Sequence, residues 1–107
     1  MAPITLKFAP GVCETVWYGR KVCTSRREKK GNPGDWFILN GAVYRLVDVL
    51  PAMLGTVRDT LFRLEGCACP EDFEFLWRSL HDGEFDETRS VWVHFFAPAP
   101  LSEVTVE

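Results

Sequence analysis

Apolar and polar residues alternate over Ile4–Phe8 (ITLKF), the period-two pattern of a half-buried strand. Past Pro10 the period changes. Val12, Cys13, Val16 and Trp17 share one face of a short helix that Gly19 can close. Residues 20–26 are short and extended, and EKKGNPGD (residues 28–35) is turn-forming through Asn-Pro and Pro-Gly-Asp. DWFILNGAVYRLVDVL (35–50) reads as two strands joined at Asn40-Gly41, a dipeptide suited to the positive φ angles of a tight hairpin. Val57, Leu61 and Leu64 then repeat at helical spacing up to Glu65, where Gly66 is a natural stop. In CPEDFEFLWRSL (69–80) a proline and acids open a second helix, with Phe73, Leu76, Trp77 and Leu80 as its apolar stripe. HDGEFDETRS is a polar loop, and VWVHFFAPA (91–99) is apolar on both faces, as a strand inside a small barrel would be. The predicted order is β-α-β-β-β-α-α-β, an α+β chain without internal repeats.

A chain of 107 residues is enough for one core and too short for two. The reading is therefore a single domain over 1–107, with an ordered core at about 3–98 and a frayed tail at 99–107. Nothing approaches the roughly 20 apolar residues of a membrane span, and the N-terminus lacks the pattern of a signal peptide, so a cytoplasmic protein is expected. The four cysteines (Cys13, Cys23, Cys67 and Cys69) include one C-x-C pair and no C-x-x-C. With only His81 and His94 to add imidazole, that spacing suits reduced thiols better than a zinc site.

The net charge of −3 argues against general affinity for nucleic acid. Six of the twelve basic residues nevertheless fall between Arg20 and Lys30, and eight of the fifteen acids between Glu65 and Glu87. A local basic edge on an acidic protein fits a modest anionic ligand. Arg27, Lys29 and Lys30 are the candidates for RNA phosphates.

GRKVCTSR (19–26) matches the G-x-K-x-x-T-x-R signature of ASCH domains, small barrels related in fold to the PUA RNA-binding module. NPGDWFIL resembles that family's turn into its second barrel strand. LEGCACPEDFEFLW resembles its Glu-Gly motif and following helix, and VWVHFF its closing strand. The resemblance implies a small mixed β-barrel of the PUA-like/ASCH kind, with about five or six strands and helices packed around it. Some ASCH proteins are amidohydrolases that deacylate N4-acetylcytidine with a lysine, a threonine and a glutamate, which here would be Lys21, Thr24 and Glu65. Others are thought to bind RNA, and ribonuclease activity has been proposed for some. Val22 and Ser25 differ from the residues more usual in the amidohydrolase branch. The resemblance thus implies a modified nucleoside or single-stranded RNA as partner, with no metal, cofactor or membrane.

Cleaving an amide requires a nucleophile, a base and a donor for the oxyanion. Thr24 offers a hydroxyl. A lysine takes up a proton at neutral pH only where burial or nearby cations lower its proton affinity; Arg20 and Arg26 have the right sign for that, and Glu65 acts in the opposite direction. Lys21 is therefore either the base or a cation on the oxyanion. On a regular strand positions 21 and 24 face opposite sides, so Lys21 must lie in the turn after Gly19, or a bulge must intervene. Arg20, Arg26, Tyr44 and Trp36 are the expected substrate-binding residues, Trp36 being the tryptophan taken to leave the core. His94 reads as a core histidine with satisfied nitrogens, Asp35 as the residue that holds its turn, and Glu71–Glu74 as a solvated helix face.

Overall fold

A computed structural model describes residues 1–9 and 11–100. Its elements are α1 (Val12–Trp17), β1 (Cys23–Arg26), β2 (Trp36–Leu39), β3 (Ala42–Met53), α2 (Leu54–Thr60), α3 (Pro70–Leu80) and β4 (Ser90–Pro98). The strands form one antiparallel sheet in the order β1-β4-β3-β2, curled into a half-barrel with three helices, an α+β fold.

The hairpin forms where the sequence places it. Asn40 and Gly41 have φ of 50° and 80°, and Leu39 pairs with Ala42 across the turn. β3 then runs for 12 residues, pairing with β2 over residues 42–45 and with β4 over 44–53. One extra residue, Val47, interrupts its pairing with β4, since Leu46 faces Phe96 while Asp48 faces Phe95. A bulge of this kind bends a long strand.

β4 is buried on both faces, as its sequence predicts, and so divides the interior. Its even positions meet an aromatic core in which Phe37 stacks on Tyr44 at 5.4 Å and Phe96 stands edge-on to both. Its odd positions, Val91 and Val93, join Cys23, Leu54, Val57, Phe73 and Trp77 in a second core beneath α2 and α3. His94 is fully buried between β1 and β3. Its Nε2 accepts from the Lys30 N–H at 2.9 Å, so its Nδ1, 3.2 Å from the Thr24 carbonyl, carries the proton and donates. The ring is neutral, and burial lowers its pKa.

Two expectations change. Residues 4–8 make no strand: Pro3 forms a single parallel bridge to Trp36, and the Ile4 N–H bonds the Trp36 carbonyl. The alternation is real, with Leu6 buried between exposed Thr5 and Lys7, but the Lys7 carbonyl is taken by the Arg26 guanidinium instead of a neighbouring strand. The described sheet accordingly has four strands, fewer than five or six. The helix expected to run into Glu65 starts at Leu54 and ends at Thr60, leaving residues 61–64 as bend and turn and Glu65 as an isolated bridge. Of the expected frayed tail, residues 101–107 lie outside the described residues, while the Ala99 N–H bonds the Val43 carbonyl at 2.9 Å.

The four cysteines are free, with Cys23 buried and the others half-buried. Among the described residues no cluster of His, Cys, Asp and Glu could hold a metal ion, and no helix is long and apolar enough to cross a membrane.

Candidate active site

Two segments far apart in sequence bring the site together. After α1 the chain turns through Gly19, and the Arg20 and Lys21 N–H groups both bond the Thr15 carbonyl. Lys21 then forms an isolated antiparallel bridge with Glu65, and the Val22 N–H bonds the Leu64 carbonyl. Gly66 makes this approach feasible. Its φ is +89°, and a Cβ there would lie 3.1 Å from that of Lys21. The Glu-Gly pair thus has a physical basis: the glycine clears the space that the lysine occupies.

Lys21 and Glu65 are each 4 % exposed and form a buried ion pair. Lys21 Nζ lies 2.7 Å from Glu65 Oε1 and 3.1 Å from the Glu65 carbonyl oxygen, so the ammonium fastens both side chain and main chain. The second carboxylate oxygen, Oε2, accepts from Ser25 Oγ at 2.6 Å. Thr24 is buried too, and its Oγ1 accepts from Arg26 Nε at 3.2 Å. The Arg26 guanidinium lies over the Phe8 ring at 5.1 Å, and burial lowers its pKa.

These side chains line a cavity of about 400 Å³. Lys21, Thr24, Ser25, Arg26 and Glu65 form its polar wall; Phe73, Leu76, Trp77 and Leu80 of α3 form much of its apolar one. His81 stands at the end of α3, stacked on Trp77 with ring centroids 3.9 Å apart. The facing problem posed by positions 21 and 24 is solved at the sheet's edge. Lys21 precedes the strand proper, β1 is an edge strand, and the cavity wraps around it to reach both faces.

Of the expected substrate-binding residues, only Arg26 lines this cavity. Tyr44 is 3 % exposed, stacked in the aromatic core on the far side of the sheet, and burial raises its phenol pKa. Trp36 is buried and bonded through its backbone to Ala2 and Ile4. Arg20 is exposed and lies off the cavity wall. The tryptophan in the cavity is Trp77, which the helical stripe assigns to the core; it serves both. Ser25 and His81 line the cavity without having been expected there. Arg27, Lys29 and Lys30 are exposed beyond β1, with Lys29 Nζ 5.3 Å above the Trp92 ring. Asp35 holds its turn as expected: its carboxylate accepts from the N–H groups of Asn32 and Ala2, and those bonds, Asn32's first, keep its pKa low.

No family profile matches the sequence, and no curated protein does. Solved structures do match. An ASCH domain from Lactobacillus crispatus JV V101 superposes with a TM-score of 0.65 over 91 % of this chain and 78 % of its own, at 11 % identity. The chain has the fold of an ASCH domain. Protein EF3133 from Enterococcus faecalis V583 gives a TM-score of 0.57 at 16 % identity, over 91 % of this chain and 78 % of its own. Protein PF0455 from Pyrococcus furiosus gives 0.60 at 15 % identity, over 91 % and 94 %. Within this ASCH fold the cavity lies between the β1 edge and α3.

Proposed function

We propose that this domain is a hydrolase that removes the acyl group from the exocyclic amine of an N4-acylated cytidine-type nucleoside. One observation carries the reading: Lys21, Thr24 and Glu65, the three residues implied by the ASCH signature and its Glu-Gly motif, line a single cavity. At about 400 Å³ that cavity is in the size range of small-molecule sites. The pyrimidine ring lies against the apolar wall of α3, with its amide turned toward Lys21. The Lys21 ammonium, already held by Glu65, stabilises negative charge on the amide oxygen. Thr24 Oγ1 accepts from Arg26, which polarises its own O–H to donate to the same oxygen. Glu65 takes the proton of the attacking oxygen and returns it to the leaving amine. These steps use protein groups and water alone.

Incubating the purified domain with N4-acetylcytidine and chelator, followed by chromatography, tests the reading. Cytidine is the expected product, and its absence after prolonged incubation at high protein concentration removes this substrate.

A second reading, an RNA-binding module or ribonuclease, is supported by Arg27, Lys29 and Lys30, which are exposed, with Lys29 over the Trp92 ring. It expects binding of single-stranded RNA at low salt, weakened by Arg27→Glu and Lys29→Glu. A fluorescent RNA that shows no low-salt binding removes it.

A further inference from the structure

Two hydroxyls line the cavity, and their surroundings differ. Alternation along β1 sets Cys23 and Ser25 on the face of the second core, with Glu65, and turns Thr24 and Arg26 to the other face. Thr24 Oγ1 is held by a guanidinium. Ser25 Oγ points its proton at Glu65 Oε2 from 2.6 Å, in the range of a hydroxyl bonded to an ionised carboxylate. A hydroxyl becomes a competent nucleophile when an adjacent base removes its proton as it attacks. Among the described residues, Ser25 is the cavity hydroxyl that has such a base in place. Lys21 on Oε1 fixes the carboxylate's orientation. Cys23 shares that side of the strand, but it has no exposed surface, does not line the cavity, and keeps its proton because burial pushes the thiol pKa up.

We propose that Ser25 is the acyl-accepting nucleophile of this cavity, with Glu65 as its base and Thr24 as an oxyanion donor. The substrate rests on the hydrolase reading above; the pairing of Ser25 with Glu65 does not. Ser25 Oγ bonds the amide carbonyl carbon while its proton passes to Glu65 Oε2. The C–N bond then breaks, the amine leaves with that proton, and an acyl ester remains on Ser25. Water attacks the ester, its proton passing to Glu65. The C–O bond to Ser25 breaks, Oγ regains the proton, and the sum is amide plus water giving carboxylic acid plus amine.

A fluorophosphonate probe, which phosphonylates activated hydroxyls with loss of fluoride, tests this without the nucleoside. Peptide mass spectrometry of the labelled wild-type protein is expected to find the adduct on Ser25. Ser25→Ala should lose the label, whereas Thr24→Val should still place it on Ser25, formed more slowly because an oxyanion donor is gone. The wild-type mapping is independent of how either variant folds. An adduct on Thr24, or no adduct at all, overturns the proposal. A labelled Ser25 with no cytidine formed from N4-acetylcytidine keeps the nucleophile and rejects the substrate. Cytidine formed by protein whose Ser25 stays unlabelled does the reverse.

Discussion

The domain carries two charge clusters of opposite character. At the surface, a half-buried Arg58 is paired with Asp59, Glu74 and Glu87, and Arg78 shares Glu74. Inside, one lysine meets one glutamate. The surface cluster has more partners, yet Asp59 and Glu87 are more than half exposed and water already solvates them. The internal pair has lost nearly all of its water, so each charge depends on the other and on Ser25. Desolvation, more than the number of ion pairs, decides which cluster the fold depends on.

Breaking the internal pair should therefore have the largest effect. Glu65→Gln leaves a buried ammonium without its counter-charge and is expected to cost about 3–5 kcal/mol, read by urea denaturation. The double variant Lys21→Met/Glu65→Leu should recover most of that loss while remaining inactive. Equal loss in the single and double variants would mean that shape, not charge, is at stake. Gly66→Ala comes next. It forces a side chain into a positive-φ position against Lys21 and should cost about 1–3 kcal/mol. If that variant is as stable as the parent, the close approach of the two segments is not needed.

A smaller effect should appear with pH. His94 is buried neutral with its pKa lowered, so the unfolded chain binds a proton that the folded domain refuses. Stability from this group is complete above about pH 6.5, the ordinary imidazole value, and declines as pH falls below it. Denaturation midpoints measured from pH 7.5 to 5 should show the decline, and His94→Gln should flatten it. The surface cluster should give the smallest change. Arg78→Ala, which removes the more exposed of the two arginines, is expected to leave the melting temperature almost unmoved, and added salt should erase much of what difference remains. A loss comparable to that of Glu65→Gln would cancel the distinction between the clusters.

The elements legible in the sequence were those whose local chemistry suffices. Asn40-Gly41 specifies its turn with two residues, and the stripe of α3 specifies its buried face. Lys21, Thr24 and Glu65 were found through motif resemblance, because no local pattern says that residue 65 will meet residue 21. The segment 4–8 misled because alternation reports which side chains are buried and not whether a neighbouring strand takes the backbone. Tyr44 and Trp36 are close to the basic loop in sequence yet lie off the cavity wall: Tyr44 packs in the aromatic core, and Trp36, next to Phe37 on β2 and so facing the other way, is held by its backbone to Ala2 and Ile4. Ser25 stayed hidden because its role depends on a carboxylate 40 residues away.

That distance also orders events in time. The β2–β3 turn closes between neighbours in the chain, whereas the bond from Lys21 to Glu65 closes a loop spanning 44 residues. Loop closure that long must wait for the elements between to assemble. The ammonium grips side chain and main chain of one residue together, so orienting the carboxylate and joining the two segments rest on the same group. During refolding, reactivity at the cavity should rise after the hairpin has formed, which makes the site a reporter of long-range assembly.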